Sequence, residues 1–215
     1  MNPIVEGEHR VLSYHLDPNP SDGKKVVVEI ESNMVHRESM LKLCPGKFLN
    51  DEIINCFSLR LQGYNELRHS YLKSKQKFTY FTTYFMSKLV DGRGKYNYDE
   101  VKSWSHKNGP KNIFKSDILF IPINHKKNHW SLVVVFMKDK RIQYYDSKRS
   151  GSSLGNMYVP YTLKYLNDEH QTKYKKPLPS QESWESSPSV SNTNRQENGK
   201  FCIAMNTCPI AIWSL

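Results

Sequence analysis

The chain is poor in cysteine, and none of its cysteines is coupled in sequence. Cys44, Cys56, Cys202 and Cys208 make no Cys-x-x-Cys pair, and no His/Cys group has zinc-finger spacing, so neither a metal site nor another cofactor is expected. Long apolar runs are missing too. The longest, residues 132–137, is strand-sized and far short of the roughly 18 residues that mark a membrane span. Residues 1–12 carry Glu6, Glu8, His9 and Arg10 and hold no apolar signal-peptide core. The thiols are therefore expected to be reduced, in the nucleus or the cytoplasm. Cys44, Cys56 and Cys208 read as small buried hydrophobes. No internal repeat is visible.

Acidic residues are outnumbered. Against 31 Lys and Arg stand 21 Asp and Glu, a net charge of +10 over 215 residues. Such an excess favours acidic partners, whether nucleic acid, an anionic membrane surface or an acidic protein. The basic residues are dispersed, and the densest tract, Lys173-Tyr174-Lys175-Lys176, is too short to mark specific nucleic-acid binding. The length suits one substantial domain with its own core.

Turn chemistry at residues 17–23 precedes a β-branched strand over 25–31. A helical turn over 39–44 is closed by Pro45-Gly46. Asn50 and Asp51 can cap the next helix, whose stripe Ile53, Ile54, Phe57 and Leu61 runs to about Gly63. Residues 78–89 are aromatic-rich, partly helical core, and 101–104 make a further helical turn. Strands are expected over 117–123, nearly all apolar and so covered on both faces, and over 129–136 and 141–146. A polar loop, 125–128, precedes the second of these, and Lys138-Asp139-Lys140 suits a hairpin turn between the last two. Helical spacing covers 158–170, and the Pro/Ser-rich stretch 177–194 reads as an irregular loop. The mix is α+β.

Within this frame stand His129-Trp130, then Tyr144-Tyr145-Asp146-Ser147, then Gln196 six residues ahead of Cys202. Taken singly, such residues are ordinarily structural: a lone His, an Asp ending a strand, a Gln in a Gly-containing loop. Pairing the strands about the 138–140 turn makes residues whose numbers sum to roughly 278 face each other, which brings Asp146 toward His129. The set supplies a thiol-protease site. A thiolate attacks a carbonyl, an imidazole moves the proton, a carboxylate holds the imidazole, and an amide steadies the oxyanion. Cys202 stands before a weakly helical segment, 203–208, that Pro209 must end; a helix N-terminus and a neighbouring imidazolium both favour a thiolate.

Phe48-Leu-Asn-Asp-Glu-Ile-Ile-Asn55, His129-Trp130, Tyr145-Asp-Ser147 and Gln196-Glu-Asn-Gly199 followed by Cys202 resemble the Ulp/SENP family of SUMO-specific cysteine proteases, in the right order and spacing. The resemblance implies a papain-like α+β fold of the ubiquitin-like protease type, with a central mixed sheet flanked by helices. It implies a catalytic domain over 25–215 behind an N-terminal extension, 1–24, and a monomer acting on a SUMO-like modifier and its conjugates. His129, Asp146 and Cys202 match the family triad, and Gln196 its oxyanion-hole residue. Trp130 matches the aromatic lid over the tunnel for the Gly-Gly tail, Phe48 stands where the family usually has the opposing Trp, and Asp51 matches a modifier contact. Glycine alone lacks the side chain that would clash between two aromatic walls. Two features depart from the pattern. Phe201 and Ile203 flank the nucleophile where the family reads Asp and Gly, and the chain stops 215 − 202 = 13 residues after the Cys, where the family continues with a buried helix. Three functions are thus open: cleavage after the Gly-Gly terminus of SUMO or a NEDD8-like modifier, binding of the modifier without cleavage, and, on charge alone, nucleic-acid binding with steep salt dependence.

Overall fold

The computed structural model describes residues 14–187 apart from 20, 45, 72–75, 105–111, 126–128 and 147–151. The chain divides into two compact units, with the boundary between Arg60 and Leu61. Among the described residues no helix is long and apolar enough to cross a membrane.

In the first unit, strands β1 (Val26–Ile30) and β2 (Asn33–His36) form an antiparallel hairpin, the first of them at the place its β-branched residues indicate. Helix α1 (Arg37–Met40) and a 3₁₀ turn, Leu41–Leu43, follow. Arg37 is buried, its guanidinium paired with Asp22 and lying over the Tyr14 ring, 3.7 Å from the centroid, which satisfies its charge from both sides. Helix α2 (Asp51–Tyr71) starts in this unit. The Asn50 side chain accepts the Ile53 N–H at 3.2 Å, and Asp51 and Glu52 set negative charge in the first turn, against the positive end of the helix dipole.

Helix α2 runs eight residues past Gly63, where the sequence pattern fades. One glycine costs a helix only about 1 kcal/mol, and side chains of the second half are tied to the strand that follows. Asn65 bonds the Gln76 carbonyl and the Phe78 N–H, and Gln62 accepts from the Tyr80 N–H.

The second unit is built on a five-stranded mixed sheet in the order β3-β4-β5-β6-β7. Its strands are β3 (Phe78–Tyr80), β4 (Ile118–His125), β5 (His129–Phe136), β6 (Arg141–Tyr145) and β7 (Glu185–Ser187). The two outer pairings are parallel and the two inner ones antiparallel. Alternate residues go to opposite faces. Leu119, Ile121, Ile123, Val133, Val135, Ile142 and Tyr144 join the larger core, with helices α3 (Tyr84–Leu89) and α4 (Ser152–Tyr174). Ile118, Phe120, Leu132, Val134, Phe136 and Tyr145 form a smaller core on the other face. The nearly continuous apolar run of β4 is thus covered on both sides, as its composition implies.

Several expectations are corrected. The stretch 177–194 is not wholly irregular: a 3₁₀ turn, Gln181–Ser183, leads into β7, which pairs parallel with β6. β7 is a Glu-Ser-Ser edge held by backbone hydrogen bonds, with no apolar alternation to betray it. His125 belongs to β4 rather than to a loop, and pairs with His129 across the β4–β5 hairpin. Helix α4 extends beyond 158–170 at both ends, and Pro160 lies inside it. Its buried line Val159, Thr162, Leu166 and Glu169 follows helical spacing. Tyr96 and Tyr98 donate to Asp168 and Glu169 at 2.7 and 2.8 Å, and Tyr161 donates to the Gly94 carbonyl at 3.0 Å. These bonds fasten the 91–98 loop to α4.

Candidate active site

The β5–β6 register pairs Leu132 with Tyr145 and Phe136 with Arg141, so facing residues sum to 277, one less than expected. The difference arises in the connection, where residues 137–140 all turn and Lys140 takes a left-handed conformation with φ 48°. Asp146 therefore comes level with Ser131, diagonal to His129 on the same face. The parity is that of the larger core: His129 and Ser131 continue the series of Val133 and Val135, and Asp146 continues that of Tyr144.

His129 Nε2 lies 2.6 Å from Asp146 Oδ1, and both side chains are nearly buried, at 11% and 5% exposure. At that distance the imidazole donates Nε2–H to the carboxylate, which leaves Nδ1 as the nitrogen available for proton exchange. Asp146 is held from its other oxygen as well. The Tyr144 hydroxyl, in a side chain 1% exposed, donates to Oδ2 at 3.3 Å. Burial first, and then the neighbouring Asp146 charge, push the Tyr144 phenol well above its ordinary value, so it is a donor at any physiological pH. Beyond it, His125 Nε2 lies 2.6 Å from Ser131 Oγ and 3.4 Å from the Tyr144 oxygen, and the His125 ring stacks on that of His129 with centroids 5.5 Å apart.

His129 and Asp146 border a cleft of ≈ 690 Å³ whose apolar wall includes Met86, Val90, Ile123, Leu154 and Met157. Asp91 stands at its rim. Backbone N–H groups of Lys95 and Arg93 bond its Oδ1, both at 2.9 Å, and hold the carboxyl below its usual range. Among the described residues no group of three His, Cys, Asp or Glu is arranged to hold a metal ion.

His129 and Asp146 are thus brought together as expected. Trp130, next to His129 and 4% exposed, alternates to the opposite face of the sheet. Phe48 and Asp51 lie in the first unit; Phe48 is 44% exposed, and Asp51 is the first residue of α2. Gln196 and Cys202 lie outside the described residues. Cys44 and Cys56 are half-buried free thiols, and burial raises the pKa of Cys56 against the opposing pull of Arg60. Sequence reasoning missed Ser131, Tyr144 and His125. The signal was there for the first two, because both share strand parity with the His or Asp they neighbour. His125 could be found only once β4 was paired with β5.

Comparison with known proteins gives the family and the fold. The family model described as the Ulp1 protease family, C-terminal catalytic domain, matches residues 47–204, a span that takes in His129, Asp146, Gln196 and Cys202. Ubiquitin-like-specific protease 1A of Arabidopsis thaliana is 38% identical over 129 residues, covering 59% of this chain and 25% of the relative. Human sentrin-specific protease 2 is 34% identical over 214 residues, covering 97% of this chain and 32% of the relative. The chain therefore spans about a quarter to a third of the length of these curated relatives. Among solved structures, the C-terminal Ulp1 protease domain in complex with Smt3, the yeast ortholog of SUMO, superposes with a TM-score of 0.71 at 22% identity, over 94% of this chain and 82% of that one. The Chaetomium thermophilum Ulp1-like SUMO protease catalytic domain gives 0.63 at 20% identity, over 94% and 76%. The α+β fold, a mixed sheet flanked by helices, is the fold of those catalytic domains.

Proposed function

The chain belongs to the Ulp1 protease family, and from that premise we propose that it is a cysteine peptidase and isopeptidase cleaving after the Gly-Gly terminus of SUMO, in precursors and in conjugates. The observation that carries the proposal is the short, buried His129–Asp146 bond inside the segment that matches the family. Cys202 is the nucleophile. Its thiol gives its proton to His129 Nδ1, the thiolate adds to the glycine carbonyl carbon, and the Gln196 amide donates to the oxyanion. Collapse expels the amine, which takes its proton from His129 Nδ1. The same nitrogen then takes a proton from water as the water adds to the thioester, and Cys202 is released. Asp146 holds the ring so that Nδ1 faces the thiol. On the family pattern Trp130 lines the path of the glycine tail, and Phe48 and Asp51 are contacts of the modifier. The acting unit is residues 25–215, a monomer, and the nucleophile's need for a reduced thiol favours the nucleus or cytoplasm.

A second reading has one specific observation behind it. Phe201 and Ile203 flank the nucleophile where Asp and Gly are usual, and a thiol displaced by ~1 Å costs about a hundredfold in rate. A binder of SUMO that does not cleave it would then result. SUMO, NEDD8 and ubiquitin probes with thiol-reactive C-terminal groups separate these readings. Adduct formation with SUMO alone supports the protease, and adducts with another modifier reassign its specificity. Binding of unmodified SUMO in calorimetry, weakened by salt as the basic excess requires, together with no adduct, supports the binder. With neither, the family's substrate does not carry over.

A further inference from the structure

The polar groups behind Asp146 share one proton arrangement, and that arrangement has a direction. A carboxylate can only accept, so Tyr144 spends its single hydroxyl hydrogen on Asp146 Oδ2. The Tyr144 oxygen must then be approached by donors. The nitrogen that faces it is His125 Nε2, 3.4 Å away, and the same nitrogen lies 2.6 Å from Ser131 Oγ. An unprotonated Nε2 would turn its lone pair toward Tyr144, whose hydrogen points the other way. A protonated Nε2 satisfies both oxygens.

We propose that His125 Nε2–H donates to Ser131 Oγ and the Tyr144 oxygen while Tyr144 O–H donates to Asp146, a one-way hydrogen-bond relay, and that these three are positioning residues for the His129–Asp146 pair. The proposal rests on the reading of that pair as catalytic. Ser131 and Tyr144 are 2% and 1% exposed, so water cannot replace a lost member at low cost, and a chain of aligned donors polarises along its length. The relay fixes which carboxylate oxygen faces His129, and thus the direction in which Nδ1 points.

Two measurements on the full chain test this. Long-range ¹H–¹⁵N correlation of the imidazoles should show His125 as the Nε2–H tautomer; an Nδ1–H tautomer with bare Nε2 overturns the relay. This arm needs no activity, so it decides the relay even if the protein cleaves nothing and the protease reading falls. In the kinetic arm, Tyr144→Phe should lower kcat on a SUMO precursor about tenfold while KM stays within about twofold. Adding Ser131→Ala to Tyr144→Phe should cost little more, because members of one chain fail together. His125→Gln, which keeps an N–H donor, should retain more kcat than His125→Leu at equal thermal stability. Additive losses, or a rise in KM matching the fall in kcat, would mean that these residues only pack the site.

Discussion

Replacing Asp146 by Asn probes the site at its narrowest point. The carboxylate accepts on two sides, from His129 at 2.6 Å and from Tyr144 at 3.3 Å. A carboxamide has one oxygen to offer. With His125 donating to Tyr144 as proposed, the Tyr144 hydrogen must go to that oxygen, and the Asn amide N–H₂ turns toward His129 Nε2. The imidazole then keeps its proton on Nδ1 and has no lone pair there with which to accept another. The charge is lost as well. Imidazolium and carboxylate centres ~4 Å apart at an effective dielectric of about 20 attract by about 4 kcal/mol, which is about 10³ in rate. Side-chain exposures of 11% and 5% leave little room for solvent to screen it. Asp146→Asn should therefore lower kcat on a fluorogenic SUMO C-terminal amide about 10³-fold, with SUMO affinity by calorimetry unchanged within about twofold. Adding Tyr144→Phe frees the amide to flip and present its oxygen to His129, so the double variant should recover about tenfold over Asp146→Asn alone. A loss in rate below tenfold, or an equal loss of affinity, would show Asp146 to be structural and refute the reasoning.

Cys202→Ala should abolish cleavage of a SUMO precursor without abolishing SUMO binding; retained cleavage would assign the nucleophile elsewhere. Since burial raises the Cys56 pKa, that thiol is protonated at neutral pH. Mass-resolved iodoacetamide labelling at pH 7 should reach Cys202 well before Cys56, and the Cys56 rate should climb as pH rises into the alkaline range. Away from the site, Tyr98→Phe removes the 2.8 Å donor from Glu169, a carboxylate 1% exposed. It should destabilise the fold by about 1–3 kcal/mol in urea unfolding, with the slope unchanged; an unaltered midpoint would show that Glu169 has other adequate partners.

By itself the sequence determined four of the strands and the nearness of the pair. Runs of β-branched and apolar residues located β1, β4, β5 and β6, and the strand period of two set which face each residue shows. One short turn between β5 and β6 then sufficed to bring Asp146 near His129. The same rule placed Ser131 and Tyr144 on their face, although those two residues look like ordinary strand polar groups until a carboxylate stands beside them. What the sequence did not carry was long-range. Gly63 does not end α2, since bonds from Gln62 and Asn65 to the backbone of 76–80 outweigh one weak helix former. β7 exists because β6 offers it backbone partners, a cause with no imprint in Glu-Ser-Ser. His125 reads as loop until the β4–β5 pairing sets it against His129. Local periodicity reports which face a residue shows, whereas the partner across that face is chosen by the chain's closure. Only tertiary structure, therefore, decided which polar groups stand together behind Asp146.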